Sequence, residues 1–264
     1  MTSTEYTAGD DPAAVAAFVA KWRAREPEMA FAEVFCPRGL RTRFVLWGAL
    51  VFEWREAAFE LSDARPTEAK CGWWADEVLR CSQDAPRHPL TRALSMPALP
   101  WQALARGLSA MADAEAMRPA DREAALASVA PLADAIAKVE GALFDAPTSA
   151  DAGRAVAVHL LSQRLRMGLG APDGGRVPLS LLARHGLHGQ DLSSPQGEAA
   201  ARDWARDLAA ALPSDLLDAP LYRRARTAFD GWYLRERAEG RMRGMPPLRA
   251  LALAWRSARR RRAG

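Results

Sequence analysis

Three carboxylates, Glu53, Glu56 and Glu60, follow the apolar run from Phe44 to Phe52. At about 100° per residue they share one stripe of a helix. Carboxylates stacked at the end of a buried helix suit a hard cation, since Mg²⁺ takes a few carboxylates, several waters and a substrate phosphate. The same spacing describes a solvated helix end with Arg55 alongside, and spacing alone leaves both readings open. A second unusual stretch holds Trp73, Trp74, Asp76 and Glu77, then Arg87, His88 and Pro89; paired tryptophans on a helix are more often packing than chemistry. His159 falls within an apolar helix face, the usual place of a satisfied core histidine. His185 and His188 have no Cys or carboxylate beside them and read as a surface turn. Cys36, Cys71 and Cys81 are odd in number and form no CxxC, which argues against a disulfide framework or structural zinc and for buried thiols in a reducing cytoplasm. The glycines at 168–175 precede no GK[ST], and no GxSxG, HExxH or kinase set occurs.

The elements that must position these residues read as helices. Ala, Leu, Arg and Glu dominate, and β-branched residues form no alternating run. Start signals recur at Asp11-Pro12, Ser149, Ser194-Pro195 and Ser214. Helices are expected near 12–25, 28–35, 39–61, 66–83, 100–117, 121–143, 150–167, 195–211, 215–237 and 247–260, with short turns near 88–94 and 178–184. The run Phe44 to Phe52 leaves no polar side, so 39–61 is expected at the centre of a bundle. One helical domain over 12–264, after a polar lead over 1–11, is the simplest organisation. No run reaches the ~18–20 apolar residues of a membrane helix, and Met1 to Asp11 has no basic n-region.

The net charge of +4 conceals an asymmetry. Eight arginines and no acids lie from Arg241 onward, so the remaining 28 basic and 32 acidic residues leave the body at −4. The basic character belongs to a tail and not to a nucleic-acid-binding face, and no specific nucleic-acid partner is expected. Leu248, Leu251, Leu253, Ala254 and Trp255 alternate with Arg249, Arg256 and the run Arg259 to Arg262, a basic amphipathic helix. It is expected either to dock on the bundle with its arginines in water or to rest on an anionic membrane.

In order and spacing, Glu53, the Ser62-Asp63 turn, Glu68, Lys70, Trp73-Trp74, Asp76 and His88-Pro89 resemble the first half of the squalene/phytoene synthase family. The lead-in WRAREPEMAFAEVF, Trp22 to Phe35, is similar to the N-terminal helices of bacterial members. GGRVPLSLLARHGL, Gly174 to Leu187, is similar to the segment after the family's second acidic helix. The close, PPLRALALAWRSARR, resembles the complex I assembly factor branch. The resemblance implies an all-α, isoprenoid (terpenoid) synthase-like helical bundle with a central cavity. It also implies an ancestral head-to-head coupling of two prenyl diphosphates, with Mg²⁺ bridging two acidic helices to the leaving group. On that pattern Glu53, Glu56 and Glu60 would hold the metal, and Lys70, Arg164 and Arg176 would bind diphosphate. Phe52, Phe59 and Trp73 would line the cavity.

The sequence departs from that pattern in the second helix. ADAGRAVAVHLLSQRLRMGLG has one acid, Asp151 in its first turn, and Ser162, Gln163, Arg164 and Arg166 stand where acids are expected. The family's second acid in the first helix falls at Phe59. A diphosphate carries about −3, and removing half of the metal ligands costs several kcal/mol of transition-state stabilisation, hence orders of magnitude in rate. The expectation is a divergent, catalytically degenerate relative with no cofactor. Its partner would be an isoprenoid lipid or diphosphate, or a protein, and its place cytoplasmic or peripheral at the inner membrane. The alternative is an active head-to-head prenyltransferase of terpenoid biosynthesis with an atypical Mg²⁺ site.

Overall fold

Asp11 begins the first helix as the sequence predicts: its carboxylate accepts from the amides of Ala13 and Ala14, and Pro12 occupies the first helical position. The structure, a computed structural model, describes residues 11–59, 64–114, 118–167, 174–187, 192 and 194–259. Twelve α-helices run through them: α1 Pro12–Arg25, α2 Met29–Val34, α3 Arg41–Phe59, α4 Ala64–Ser82, α5 Pro89–Leu94 and α6 Trp101–Ala114, then α7 Arg122–Leu143, α8 Ala150–Arg166, α9 Leu179–Arg184, α10 Pro195–Ala211, α11 Leu221–Ala238 and α12 Pro247–Arg259. Short 3-10 turns lie at Arg38–Leu40 and Gly174–Arg176. No strand occurs among the described residues.

One expected helix is shorter than predicted. The segment opened by Ser214 does not run to 237; α11 begins at Leu221, with Pro220 as its N-cap. A helix from 215 would have carried Pro220 in its interior, where the ring clashes with the preceding turn at a cost of about 3 kcal/mol. Asp215 instead accepts from the amide of Leu217 and closes a local turn.

α3 is the central rod, as its sequence requires. It is buried from Leu46 to Arg55 and again at Ala57, Ala58 and Phe59, and α1, α2, α4, α5, α6 and α7 pack around it. Trp22 of α1 packs on α3 at Gly48, where a Cβ would stand 2.3 Å from its ring. α7 packs on α6 and α8, and α11 on α8, α10 and α12. A buried apolar cluster extends from Val15 to Ala254. The three cysteines are free and buried, and burial pushes the thiol of Cys36 up to about 11 and that of Cys81 to about 12. No helix among the described residues is long and apolar enough to cross a membrane.

Candidate functional site

The glutamate stripe of α3 faces α1. Lys21 lies between two of its members, its Nζ donating to Glu53 Oε1 at 2.9 Å and Glu56 Oε2 at 2.6 Å, and it stands over the Phe52 ring at 5.2 Å. Burial pushes the Glu53 carboxyl above its ordinary value, against the pull of Lys21. Burial alone would lower the Lys21 ammonium, but its bonds to Glu56 and Glu53 outweigh that and hold it raised. Lys70, exposed on α4, is near enough to attract Glu53 electrostatically. Glu60 and the Ser62-Asp63 turn lie outside the described residues.

A different face of α3, carrying Arg55, points to the centre of the bundle. Arg55 is ion-paired to Glu26, which follows the last turn of α1. Glu26 also accepts from Trp22 Nε1 at 3.1 Å and Arg226 Nη1 at 3.2 Å. Arg226 of α11 has no solvent exposure and meets three carboxylates: Glu26, Glu28 at 2.9 Å and Asp230 at 3.1 Å. Asp230 in turn holds His159 Nδ1 of α8 at 2.9 Å and accepts from Gln163 at 3.4 Å. Glu28 accepts from the Tyr233 hydroxyl at 3.3 Å, and Arg166, stacked 3.9 Å over the Tyr233 ring, lies 3.9 Å from Glu28.

Charge balances within this cluster, with Glu26, Glu28 and Asp230 against Arg55, Arg166 and Arg226. Burial alone would raise the Glu26 carboxyl; Arg55 and Arg226 overcome that and hold it at about 2. Burial would raise Asp230 likewise, and Arg226 keeps it well below the carboxylate range. Burial lowers the His159 pKa despite Asp230, so the ring stays neutral. An ionised Asp230 can only accept, so Nδ1 of His159 carries the hydrogen. A second buried pair ties α11 and α3 to α7: Arg223 grips Glu140 of α7 through two nitrogens, at 3.0 and 2.8 Å, and Trp47 Nε1 donates to it at 2.8 Å.

Beside this cluster is a cleft of about 380 Å³ lined by Arg25, Arg55, Gln163, Arg166 and Met167. Its wall from α8 therefore offers an amide and a guanidinium where two-helix metal chemistry needs carboxylates. Arg164 is buried in α8, with Gly175 packed against its carbonyl, and Arg176 is buried over the Phe59 ring at 5.7 Å. Phe52 and Phe59 are both buried. Asp134, a distant acid that would complete a second wall, is exposed against Gly153 in the first turn of α8. The Asp113 side chain lies outside the described residues.

The paired tryptophans pack on each other and on His88. Trp73 is 48% exposed on α4 and meets Trp74 and His88 edge-on, with ring centroids 5.0 and 5.9 Å away. Buried Glu77 accepts from the amides of Arg87 and His88 at 2.8 Å and from the Thr91 hydroxyl, fixing the start of α5. His88 caps α5 by accepting from Leu90 N at 3.2 Å, and burial lowers its pKa to about 4. His185 pairs with Asp203 at 3.0 Å, and His188 lies outside the described residues.

Sequence reasoning missed Glu26, Glu28, Arg226 and Asp230. The one signal present was Arg226 and Asp230, opposite charges at i and i+4 on a helix face that also carries Tyr222 and Phe229. Mg²⁺ does not fit the two-walled pattern here. An ammonium stands between Glu53 and Glu56, the α8 side chains in the cleft beside Arg55 are Gln163, Arg166 and Met167, and no three His, Cys, Asp or Glu side chains gather as ligands among the described residues.

No family model and no curated protein sequence matches the chain, so the likeness to the assembly-factor branch gains no support there. Among solved structures, the chain is similar to the crystal structure of a dehydrosqualene synthase in complex with ligand, with a TM-score of 0.64. Identity is 16%, over 92% of this chain and 94% of that one. At that identity the likeness establishes the fold, an all-α isoprenoid synthase-like bundle.

Proposed function

We propose that this chain uses the isoprenoid synthase-like bundle to bind a prenyl-type lipid or its diphosphate, and that it does not couple two prenyl diphosphates. The observation that carries this reading is the neutral ion cluster of Glu26, Glu28, Asp230, Arg55, Arg166 and Arg226 at the centre of the bundle. Its carboxylates are already ion-paired to guanidinium groups. Drawing one away to a metal would leave Arg226 buried with too little countercharge, which is costly in a low-dielectric interior. The cleft lined by Arg25, Arg55 and Arg166 suits a phosphate group, because guanidinium forks match phosphate oxygens without a metal bridge.

Calorimetric titration with farnesyl diphosphate tests this. Binding of equal strength in EDTA and in Mg²⁺, weakened at least tenfold by Arg166→Gln, is the expected result. Binding that appears only with Mg²⁺ would contradict it. That outcome would favour the enzymatic reading, a prenyltransferase of the phytoene or squalene synthase type. One observation speaks for that reading: Lys21 is 41% exposed, so its flexible stem could swing away and release Glu53 and Glu56. A protein partner remains the third reading, and a null titration in both conditions would turn attention to it.

A further inference from the structure

α12 docks on the bundle with Arg249, Arg256 and Arg259 exposed, one of the two arrangements its sequence allows, but most of its large apolar residues do not face inward. Its small residues Ala250, Ala254 and Ser257 face inward, against α11 and α2. The Ser257 carbonyl is held by Arg224 Nε at 2.9 Å, which fixes the rotation of the helix. Leu253 packs partly on the core, whereas the other bulky apolar residues point out: Leu248 is 82% exposed, Trp255 47% and Leu251 40%. At about 100° per residue these three share an arc roughly 60° wide. Arg249, Arg256 and Arg259, all exposed, fill the adjoining arc, and the Arg259 guanidinium lies 4.8 Å over the Trp255 ring. Val34 is exposed on α2, the helix packed beside α12, and Met242 just before α12 is exposed too. The sequence continues with Arg260, Arg261 and Arg262 and has no acid after Glu239.

We propose that the outer face of α12 is a docking surface for an anionic lipid bilayer. A soluble helix ordinarily buries its large apolar side chains and exposes its alanines. Here the bundle takes Ala250, Ala254 and Ser257 with part of Leu253, and leaves Leu248, Leu251 and Trp255 to something else. The neighbouring groups identify what that is. An apolar strip immersed among acyl chains, tryptophan at the headgroup level, and arginines beside it form the pattern of a helix lying in the membrane plane. Acid-free basic flanks add attraction to anionic headgroups worth roughly fivefold in affinity per arginine near the surface. The docking is independent of the ligand reading above and stands or falls separately.

Sedimentation of the full chain with vesicles tests it, using phosphatidylcholine alone and phosphatidylcholine mixed with phosphatidylglycerol. The chain is expected to pellet with the anionic vesicles only, and less as salt is raised. Leu248→Glu with Trp255→Glu should abolish pelleting, while Arg249→Glu with Arg256→Glu should weaken it more than tenfold. Both pairs project away from the docked face, so thermal melts should match the parent and exclude misfolding as the cause. No pelleting, equal pelleting with neutral vesicles, or pelleting that survives Leu248→Glu with Trp255→Glu would overturn the proposal. So would a dimer on gel filtration that Leu248→Glu dissociates in a chain that ignores vesicles, since a second copy would then own the face.

Discussion

Glu53 lies on α3 and Glu26 pairs with it through Arg55, yet their carboxyls are driven in opposite directions. Burial pushes Glu53 above 4.5, and a half-exposed lysine shared with Glu56 does not reverse it. Glu26 is buried more deeply, but Arg55 and Arg226 hold it at about 2. The difference lies in the partners. Glu26 has fixed, desolvated guanidinium groups, whereas Glu53 shares one flexible ammonium that water can screen. A carboxylate at the centre of such a bundle is thus available to a metal or closed to it according to what faces it. In this molecule the closed region is central and the available one is at the flank. The proposal that the chain does not couple prenyl diphosphates rests on that inversion.

The comparison can be broken most forcefully at Arg226. Arg226→Met strands Glu26, Glu28 and Asp230 without their shared cation, and removing one partner of a buried ion pair costs about 3–5 kcal/mol. Urea denaturation should show that loss, against less than about 1 kcal/mol for Lys21→Met at the flank.

Acid titration sharpens the contrast next. Glu26 binds its proton near 4.5 when unfolded and near 2 when folded. Its contribution is therefore complete above 4.5 and drains away as pH falls toward 2, because the unfolded chain protonates first; the full difference is about 3 kcal/mol. His88 adds an earlier decline. Its pKa drops from 6.5 to about 4 on folding, so its stabilisation is present above 6.5 and is lost between 6.5 and 4. Stability measured against pH should fall in these two stages. Asp230 shares the lower stage and His159 the upper one, so Glu26→Gln should shrink the lower stage and His88→Gln the upper one without abolishing either.

Gly48→Ala probes the packing that joins the two regions. Its added methyl would meet the Trp22 ring, the same side chain whose Nε1 donates to Glu26. Overpacking of this kind costs about 1–3 kcal/mol, and the melting temperature should drop accordingly. Lys21→Met, the smallest change, should leave the melt nearly unaltered, since exposed pairs contribute about 0–1 kcal/mol.

Local chemistry was legible in the sequence, and long-range pairing was not. The caps at Asp11, Ser149 and Ser194 place α1, α8 and α10 where expected, because a cap and its helix are neighbours in the chain. The start of α11 was misplaced because Ser214 looked like a cap, while Pro220 prevents the helix from beginning before it. The glutamate stripe was visible, but its partner Lys21 is 32 residues from Glu53. Arg226 and Glu26 are 200 residues apart, and nothing in either local pattern announces the other. His159 read as a satisfied core histidine, and Asp230 on α11 supplies the partner. For α12, amphipathicity was plain, but periodicity does not say which face the bundle will take. The two tightly packed alanines decided that in favour of the small side.

On the proposed function, the ion cluster stands in place of metal-assisted coupling. Incubation of the purified chain with farnesyl diphosphate and Mg²⁺, followed by assay of released pyrophosphate and extracted hydrocarbon, tests it most directly. The account predicts no release above the enzyme-free rate, in the parent and in Lys21→Met alike. Mg²⁺-dependent release that disappears in Glu53→Gln would contradict it.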